Sequence, residues 1–227
     1  MTTELYLKLT MSKLAPVFNI PNVPVVDREV EILRLCKDKK VLHIGCADAP
    51  YTTQRGDDLL HTRLGKVTDR LWGIDLSPEG CSLLGKLGFN NILEGEISTY
   101  TQELIKENFD IILAGEVIEH TENPGSFLKD IAKVMTSNTV LLLTTVNTPS
   151  ITSLIFSLMR KEKVHPDHNY YFSYYTINHF MKKCGLIPSE IYYYKVNNTI
   201  IDKLLGFACY ISPVFSDGII VKAQLQQ

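Results

Sequence analysis

The sequence lacks the cysteine pattern of a disulfide framework. Its five cysteines are scattered, and no two of them form a Cys-x-x-Cys pair. The first residues also lack a secretory signal pattern, so we expect reduced thiols and a cytoplasmic location. The cysteines are Cys36, Cys46, Cys81, Cys184 and Cys209.

Long runs of one residue class are missing as well. No apolar stretch reaches the roughly 18 residues that a membrane-spanning helix needs, so we expect no membrane span. No long run of lysine and arginine occurs and the net charge is −2, so we expect no nucleic-acid partner. With 227 residues, 45% of them hydrophobic, the chain is expected to form a single domain over 1–227, as a monomer or homodimer.

The most informative stretch is 40–50, which reads KVLHIGCADAP. The apolar residues of 41–44 predict a buried strand covered on both faces. Gly45, Ala47 and Ala49 then put small side chains at alternate positions of a turn, where backbone N–H groups can approach a ligand. The dinucleotide pattern Gly-x-Gly-x-x-Gly is absent, which argues against NAD or FAD.

Apolar strands and helical segments alternate after this point. This alternation predicts right-handed βαβ units and a doubly wound, mainly parallel sheet, whose ligand lies at the carboxyl ends of the strands. We divide the chain into an N-terminal helical arm, a cofactor-binding half and an acceptor-side segment with the last strands, which are 1–37, 38–147 and 148–227. Strands are predicted at 40–45, 70–75, 91–94, 109–114, 139–145, 188–196 and 218–225.

Asp75 ends the second predicted strand, about thirty residues after Gly45. In doubly wound folds an acid at this place accepts hydrogen bonds from the ribose hydroxyls of a nucleoside. The alternative is an aspartate that caps a helix or faces solvent. The small-residue turn nearby favours the ribose.

Five motifs in order resemble those of class I S-adenosylmethionine-dependent methyltransferases: VLHIGCADA, GIDLS, LEGEI, FDIILAGEVIEH and TTVN. They cover about 40–147, and the later segment HPDHNYYFSYYTINHFMKKCGL also resembles the family's pattern. The resemblance implies a Rossmann-like sheet of seven mostly parallel strands, the last one antiparallel, with helices on both faces. It also implies S-adenosylmethionine as the cofactor.

The resemblance further implies an adenosine-binding half. Asp75 would hold the ribose hydroxyls, and Leu76 would lie against the adenine. Glu96 resembles the family's acid near the adenine amino group, with Ile97 beside it. The family more often has aspartate there, and the alternative for Glu96 is an exposed loop glutamate.

On the methionine side the resemblance implies a lining of Gly45, Cys46 and Ala47, with a floor at 114–116 that ends in Glu116. The family usually has an acid where this chain has His43, and glycines where the turn has its two alanines. Alanine fits only if its φ stays negative. His43 would replace the acid as a hydrogen-bonding partner of the turn or of the cofactor's amino-acid end.

Methyl transfer from a sulfonium requires donor and acceptor to be held in line, and an oxygen acceptor also benefits from a base. Glu119 and His120 follow the fourth predicted strand, and His168 precedes a tyrosine-rich segment. We predict these three as catalytic residues. The aromatic side chains of 170–175 would form a wall for a ring-bearing acceptor, or simply pack in the core.

The Glu-x-x-Glu-His run at 116–120 raises the question of a metal. If this run is helical, Glu116, Glu119 and His120 share a face and, with His168, offer ligands for a divalent ion. The run resembles that of ubiquinone-pathway O-methyltransferases and small-RNA 2′-O-methyltransferases, in which it is associated with a metal. Metal-independent relatives have a similar run, and we expect no metal.

The expected function is therefore S-adenosylmethionine-dependent methyl transfer to a small-molecule acceptor, on oxygen and with histidine assistance. Two alternatives stay open. One is an RNA 2′-O-methyltransferase with a metal site. The other, motivated by His43 and the alanines of the turn, is a cofactor-binding protein with little or no activity.

Overall fold

The fold is built on one twisted sheet. The computed structural model describes residues 17–48, 52–196, 207–209 and 211–226. Eight strands lie within these ranges: β1 (Val25–Val26), β2 (Val41–Ile44), β3 (Leu71–Asp75), β4 (Ile92–Glu94), β5 (Ile111–Gly115), β6 (Val140–Val146), β7 (Leu186–Tyr194) and β8 (Gly218–Leu225). Their order is β1-β7-β8-β6-β5-β2-β3-β4, and β8 alone runs antiparallel to its neighbours.

Helices cover the sheet. They are α1 (Arg28–Cys36), α2 (Thr52–Arg55), α3 (Leu60–Gly65), α4 (Pro78–Lys86), α5 (Thr101–Leu104), α6 (Pro124–Val134), α7 (Ile151–Leu158) and α8 (Tyr174–Lys183). Side-chain caps define several of their starts, since Asp27, Ser77 and Asn123 each accept a backbone N–H of the first turn. None of these helices combines the length and apolarity needed to cross a membrane.

The predicted doubly wound sheet is confirmed, with one strand more than the seven implied. The extra strand, β1, lies in the segment predicted as a helical arm. Residues 17–24 have no helix, because Pro21 and Pro24 remove backbone donors and disfavour helical neighbours. The carbonyl of Pro24 instead accepts a hydrogen bond from the N–H of Tyr193 in β7. The part of the arm at 1–16 lies outside the described residues.

Two of the connections contain 3₁₀ turns. The turn Gly56–Asp58 separates α2 from α3. The turn Ile97–Tyr100 precedes α5, and within it the Ser98 hydroxyl donates to Glu96.

Both faces of β2 are buried, which explains its nearly continuous apolar sequence. Leu42 and Ile44 pack in the core on one side of the sheet, while Val41 packs with Ile32 of α1 on the other. The neighbours of β2 are β3 and β5. The strand order therefore reverses at β2, and a crevice for a ligand opens beyond the carboxyl ends of β2 and β5.

Candidate functional site

The turn after β2 makes room for a ligand rather than supplying donors to it. Gly45 has φ +72°, and a Cβ placed on it would stand 2.5 Å from Cγ2 of Val117. The N–H groups of Gly45, Cys46 and Ala47 all donate to the protein, the first two to the carbonyl of Ile74. We expected these N–H groups to approach a ligand. Because all three already donate within the protein, they are not available to bind one.

Ala47 fits the turn both in its packing and in its backbone conformation. Cys46 and Ala47 are fully buried, and Ala47 Cβ lies 2.5 Å from the place where a Cβ on Gly80 of α4 would stand. Asp48, not Ala47, takes the left-handed conformation, with φ +50°. Alanine at 47 is thus compatible with the turn because the next residue absorbs the positive φ. Ala49 lies outside the described residues.

Asp75 joins the turn to the end of β3. Its Oδ2 accepts the N–H of Ala47 at 2.8 Å, and its Oδ1 accepts the N–H of Ser77 at 2.9 Å. A carboxylate has about four lone-pair sites, so both oxygens keep capacity for ligand hydroxyls. The next side chain, Leu76, is 69% exposed, an apolar surface beside the carboxylate.

The two residues after β4 that are predicted to lie near the adenine differ in exposure. Glu96 is exposed and accepts the Ser98 hydroxyl at 3.2 Å. Ile97 is buried and belongs to the main core. The N–H of Gly95 donates to the carbonyl of Asp75 at 2.8 Å, so the loop that carries Glu96 is fixed next to the ribose candidate.

Glu116 is held by groups from distant parts of the chain. It has φ +56°, and its Oε1 accepts the Tyr194 hydroxyl at 2.6 Å. Arg28 Nη1 lies 3.5 Å from its other oxygen, and Arg28 Nε donates to Thr144 Oγ1 at 3.2 Å. Burial, followed by the nearby Glu116 charge, raises the pKa of Tyr194 well above its usual value. The guanidinium of Arg28 therefore lies at the carboxyl ends of β5 and β6, beside the crevice.

His43 forms a buried pair with His61 of α3. Their Nδ1 atoms are 3.2 Å apart, and both side chains are buried. Burial and the neighbouring imidazole lower the pKa of His43, and burial lowers that of His61 to about 4. Both rings are therefore neutral near pH 7, and one Nδ1 donates to the other. The predicted contact of His43 with a cofactor stays a prediction.

Glu119 is fully buried on the 3₁₀ turn Ile118–His120. Its Oε2 accepts the Thr145 hydroxyl at 3.1 Å, and burial raises its pKa to about 7. Its backbone carbonyl accepts the N–H groups of Asn169 and Tyr170. Glu119 thus ties the segment after β5 to the loop that carries His168.

Three histidines meet above this turn. The ring centroids of His120 and His168 are 4.6 Å apart, and His165 lies 5.7 Å from the first and 5.3 Å from the second. Burial, followed by the two other imidazoles, lowers the pKa of His168. Its Nδ1 atom is buried and has no hydrogen-bond partner within the described ranges. Of the predicted catalytic residues, the structure brings His120 and His168 together.

The aromatic side chains that follow His168 lie in different environments. Tyr171 lies 5.8 Å from the His168 ring and is 40% exposed. Phe172 is in the core, and Tyr175 stacks on Phe18 at 4.0 Å, on the outside of α8. Of these three, only Tyr171 is placed to contact an acceptor beside the histidines.

The residues present do not form the ligand set that the Glu-x-x-Glu-His run suggested. Residues 116–120 are not an α-helix, because Glu116 is left-handed and the turn after it is 3₁₀. Glu116 is bonded to Tyr194, Glu119 to Thr145, and His120 Nδ1 to the backbone of Asp167. The condition under which Glu116, Glu119 and His120 would share a helical face is therefore not met.

Sequence reasoning missed three residues of this region: Arg28, His61 and His165. Arg28 and His61 reach the site from helices that flank β2 in the fold, and no local pattern marks them. His165 precedes His168 by three residues, and this His-x-x-His spacing is a local signal that the two rings lie close together.

The chain is similar to known proteins in both sequence and fold. Residues 25–188 match a family described as a methyltransferase domain. The chain is 25% identical over 130 residues to a ubiquinone biosynthesis O-methyltransferase of Pelagibacter ubique. The aligned region covers 56% of this chain and 50% of that protein. It is 30% identical over 123 residues to the protein of the same name from Bradyrhizobium diazoefficiens, at 53% and 45% coverage. The chain thus spans about half the length of these relatives.

The fold is similar to that of solved methyltransferases. Magnesium protoporphyrin IX methyltransferase from Synechocystis PCC 6803, solved with bound SAH, superposes with a TM-score of 0.57 at 12% identity. The match covers 87% of this chain and 81% of that one. At this identity the likeness concerns the fold alone.

Proposed function

We propose that this chain, which belongs to the class I S-adenosylmethionine-dependent methyltransferases, transfers a methyl group to an oxygen atom of a small-molecule acceptor. The observation that carries the oxygen acceptor is the buried, unpartnered Nδ1 of His168 beside His120. A buried polar atom without a partner costs free energy, so this site favours a ligand that supplies a hydroxyl. The net charge of −2 favours a small molecule over RNA.

The cofactor would lie across the carboxyl ends of β2, β3 and β5. Asp75 would accept the ribose hydroxyls, Leu76 would cover the adenine, and Glu96 would face its amino group. Because the N–H groups of Gly45 to Ala47 are already bonded, the methionine carboxylate needs another donor. Arg28 supplies it, and Glu116 can accept the methionine ammonium group.

The reaction would be an in-line displacement at the methyl carbon. The acceptor oxygen forms a bond to that carbon while the carbon–sulfur bond breaks, which leaves a neutral thioether. The hydroxyl proton passes to an imidazole, since a neutral histidine is a suitable base near pH 7. His168 and His120 would hold and deprotonate the hydroxyl, and Glu119 would keep both residues in place through Thr145 and Asn169.

Transfer of labelled methyl groups to a panel of phenols tests this proposal. His168→Gln should lower kcat by about 100-fold or more, as loss of a general base does, with unchanged S-adenosylhomocysteine affinity. His120→Gln should act in the same direction. His179→Gln, an exposed histidine stacked on Tyr175 of α8, is the matched control. If His168→Gln turns over as fast as this control, the acceptor binds elsewhere.

A further inference from the structure

We propose that Tyr194 is a positioning residue for the methyl donor. Its hydroxyl fixes Glu116, so that Glu116 and Arg28 are in place to bind the ammonium and carboxylate groups of the donor before it arrives. Tyr194 does not touch the cofactor itself, because its side chain is buried at the end of β7. This role rests on the function and the cofactor position proposed above.

The Tyr194 hydroxyl has one preferred acceptor. It donates to Glu116 Oε1 at 2.6 Å. A second acceptor, the carbonyl of Thr145, is 3.5 Å away, at the limit of a hydrogen bond. Burial, followed by the Glu116 charge, raises the pKa of Tyr194, so the hydroxyl keeps its proton near pH 7. Its single proton is therefore given to Glu116.

Gly218, at the start of β8, makes room for the Tyr194 ring. The two residues are paired across β7 and β8. A Cβ placed on Gly218 would overlap both Cζ and the hydroxyl oxygen of Tyr194. Glycine within a strand often marks such a site of close approach. The ring thus lies directly over the backbone of β8, which leaves its hydroxyl little freedom to move away from Glu116.

The remainder of Glu116 is also held before any ligand binds. Its N–H lies 3.0 Å from the carbonyl and 3.1 Å from the hydroxyl oxygen of Thr144. With the backbone and Oε1 fixed, Oε2 lies 3.5 Å from Arg28 Nη1. The Arg28 guanidinium carbon is also 5.8 Å from the centroid of the Tyr194 ring, within the range of a cation–π contact. One buried tyrosine therefore contacts both charged groups.

Glu116 is better placed than its neighbours to attract the ammonium group of the donor. His43 cannot supply a negative charge, and burial lowers its pKa so that it is neutral near pH 7. The carboxylate of Asp48 is paired with Arg55 at 2.7 Å. The side chain of Glu116 is 38% exposed, and its contact with Arg28 is long for an ion pair. Its Oε2 can therefore turn to a ligand.

Fixing Glu116 in advance increases affinity for the amino-acid end of the donor. If the Tyr194 hydroxyl is removed, the ligand has to order the Glu116 side chain when it binds. Ordering one flexible side chain lowers the affinity by about two- to tenfold. The loss should be confined to ligands that carry the amino-acid group.

Calorimetric titration of Tyr194→Phe with two ligands tests this role. S-adenosylhomocysteine should bind about two- to tenfold more weakly than to the wild type, whereas methylthioadenosine, which lacks the amino-acid group, should bind equally well. Tyr192→Phe is the matched control, since the Tyr192 hydroxyl also donates to a glutamate, Glu190, on the same strand. It should bind both ligands normally. Equal weakening of both ligands in Tyr194→Phe, or no weakening of either, would overturn the positioning role.

A double-mutant cycle tests whether Tyr194 acts through Glu116. Glu116→Ala removes the carboxylate. In this background Tyr194→Phe should cause no further loss of S-adenosylhomocysteine affinity, because residues that act through one contact are not additive. A further loss as large as that in the wild-type background would overturn the role of Glu116 as the link.

Methyl transfer to phenols separates this role from the proposed function. Tyr194→Phe should raise the KM for S-adenosylmethionine by the same factor and leave kcat within about twofold, since the hydroxyl acceptor is placed beside the histidines. If Tyr194→Phe loses affinity selectively but the wild type methylates no phenol, the positioning role stands and the proposed function fails. If the wild type methylates phenols and Tyr194→Phe has an unchanged KM, the reverse holds.

Discussion

The carboxylate of Asp75 accepts a hydrogen bond from the backbone N–H of Ala47 at 2.8 Å, joining the carboxyl end of β3 to the turn after β2. Its other oxygen accepts the N–H of Ser77, which caps α4. One side chain therefore fixes the relative positions of the proposed ribose and methionine sites. A change at Asp75 is expected to affect both binding and the local backbone.

Asp75→Asn should weaken S-adenosylhomocysteine binding by at least about tenfold, because hydrogen bonds to charged groups are worth about 1.5–3 kcal/mol. An asparagine also has only one acceptor oxygen for two backbone donors. Isothermal titration calorimetry measures the affinity. Asp57→Asn, an exposed aspartate paired with Lys66, is the control and should bind normally. Unchanged affinity in Asp75→Asn would mean that the ribose lies elsewhere.

Gly45→Ala should destabilise the fold and abolish cofactor binding. The substitution combines a positive φ with a clash against Val117. Gly88→Ala is a matched control, since Gly88 has φ +96° but open space around its missing Cβ. The φ cost alone is about 1–2 kcal/mol. Urea denaturation should show a larger loss for Gly45→Ala, and equal losses would refute a steric role for Val117.

The variant Arg28→Met tests whether Arg28 binds the amino-acid half of the cofactor and not the nucleoside half. Loss of a charge-assisted hydrogen bond should weaken S-adenosylhomocysteine binding by roughly tenfold to a hundredfold. Methylthioadenosine, which has no amino-acid group, should bind wild type and variant alike. Arg34→Met, near the end of α1 and paired with Glu31, is the control. Equal weakening for both ligands would show that Arg28 acts on the fold and not on the carboxylate.

The buried histidine pair predicts a loss of stability in acid. His61 has a pKa of about 4 in the folded protein against 6.5 when unfolded, so between these values the unfolded chain binds the extra proton. The contribution of His61 to the free energy of unfolding is therefore fully present above pH 6.5. It decreases as the pH falls towards 4, by about 3 kcal/mol. Urea denaturation across this range should show a smaller fall for His61→Gln than for the wild type or His179→Gln. Parallel curves would contradict a neutral, buried His61.

Local sequence patterns were enough to predict much of the sheet. Val41–Ile44 and Val140–Val146 are apolar runs long enough to mark buried strands, and Pro124 marks the start of α6. β1 could not be predicted in this way, since two residues carry no periodicity. Its position depends on pairing with Tyr193 and Tyr194, which are far away in the chain.

The site was predicted less completely, because its contacts are non-local. Asp75 and Gly45 follow from strand ends and small residues, which are local signals. The left-handed Glu116 rules out the helix considered for 116–120, and the sequence does not indicate this conformation because the residue is not a glycine. Arg28 meets Thr144 across 116 positions, and only the fold brings them together.

Calorimetric titration of the wild-type chain with S-adenosylmethionine tests the central claim most directly. We predict saturable binding with one site per chain, weakened by Asp75→Asn and unaffected by Asp57→Asn. Absence of any binding at millimolar cofactor would contradict the assignment of the crevice beyond β2, β3 and β5 as a methyl-donor site.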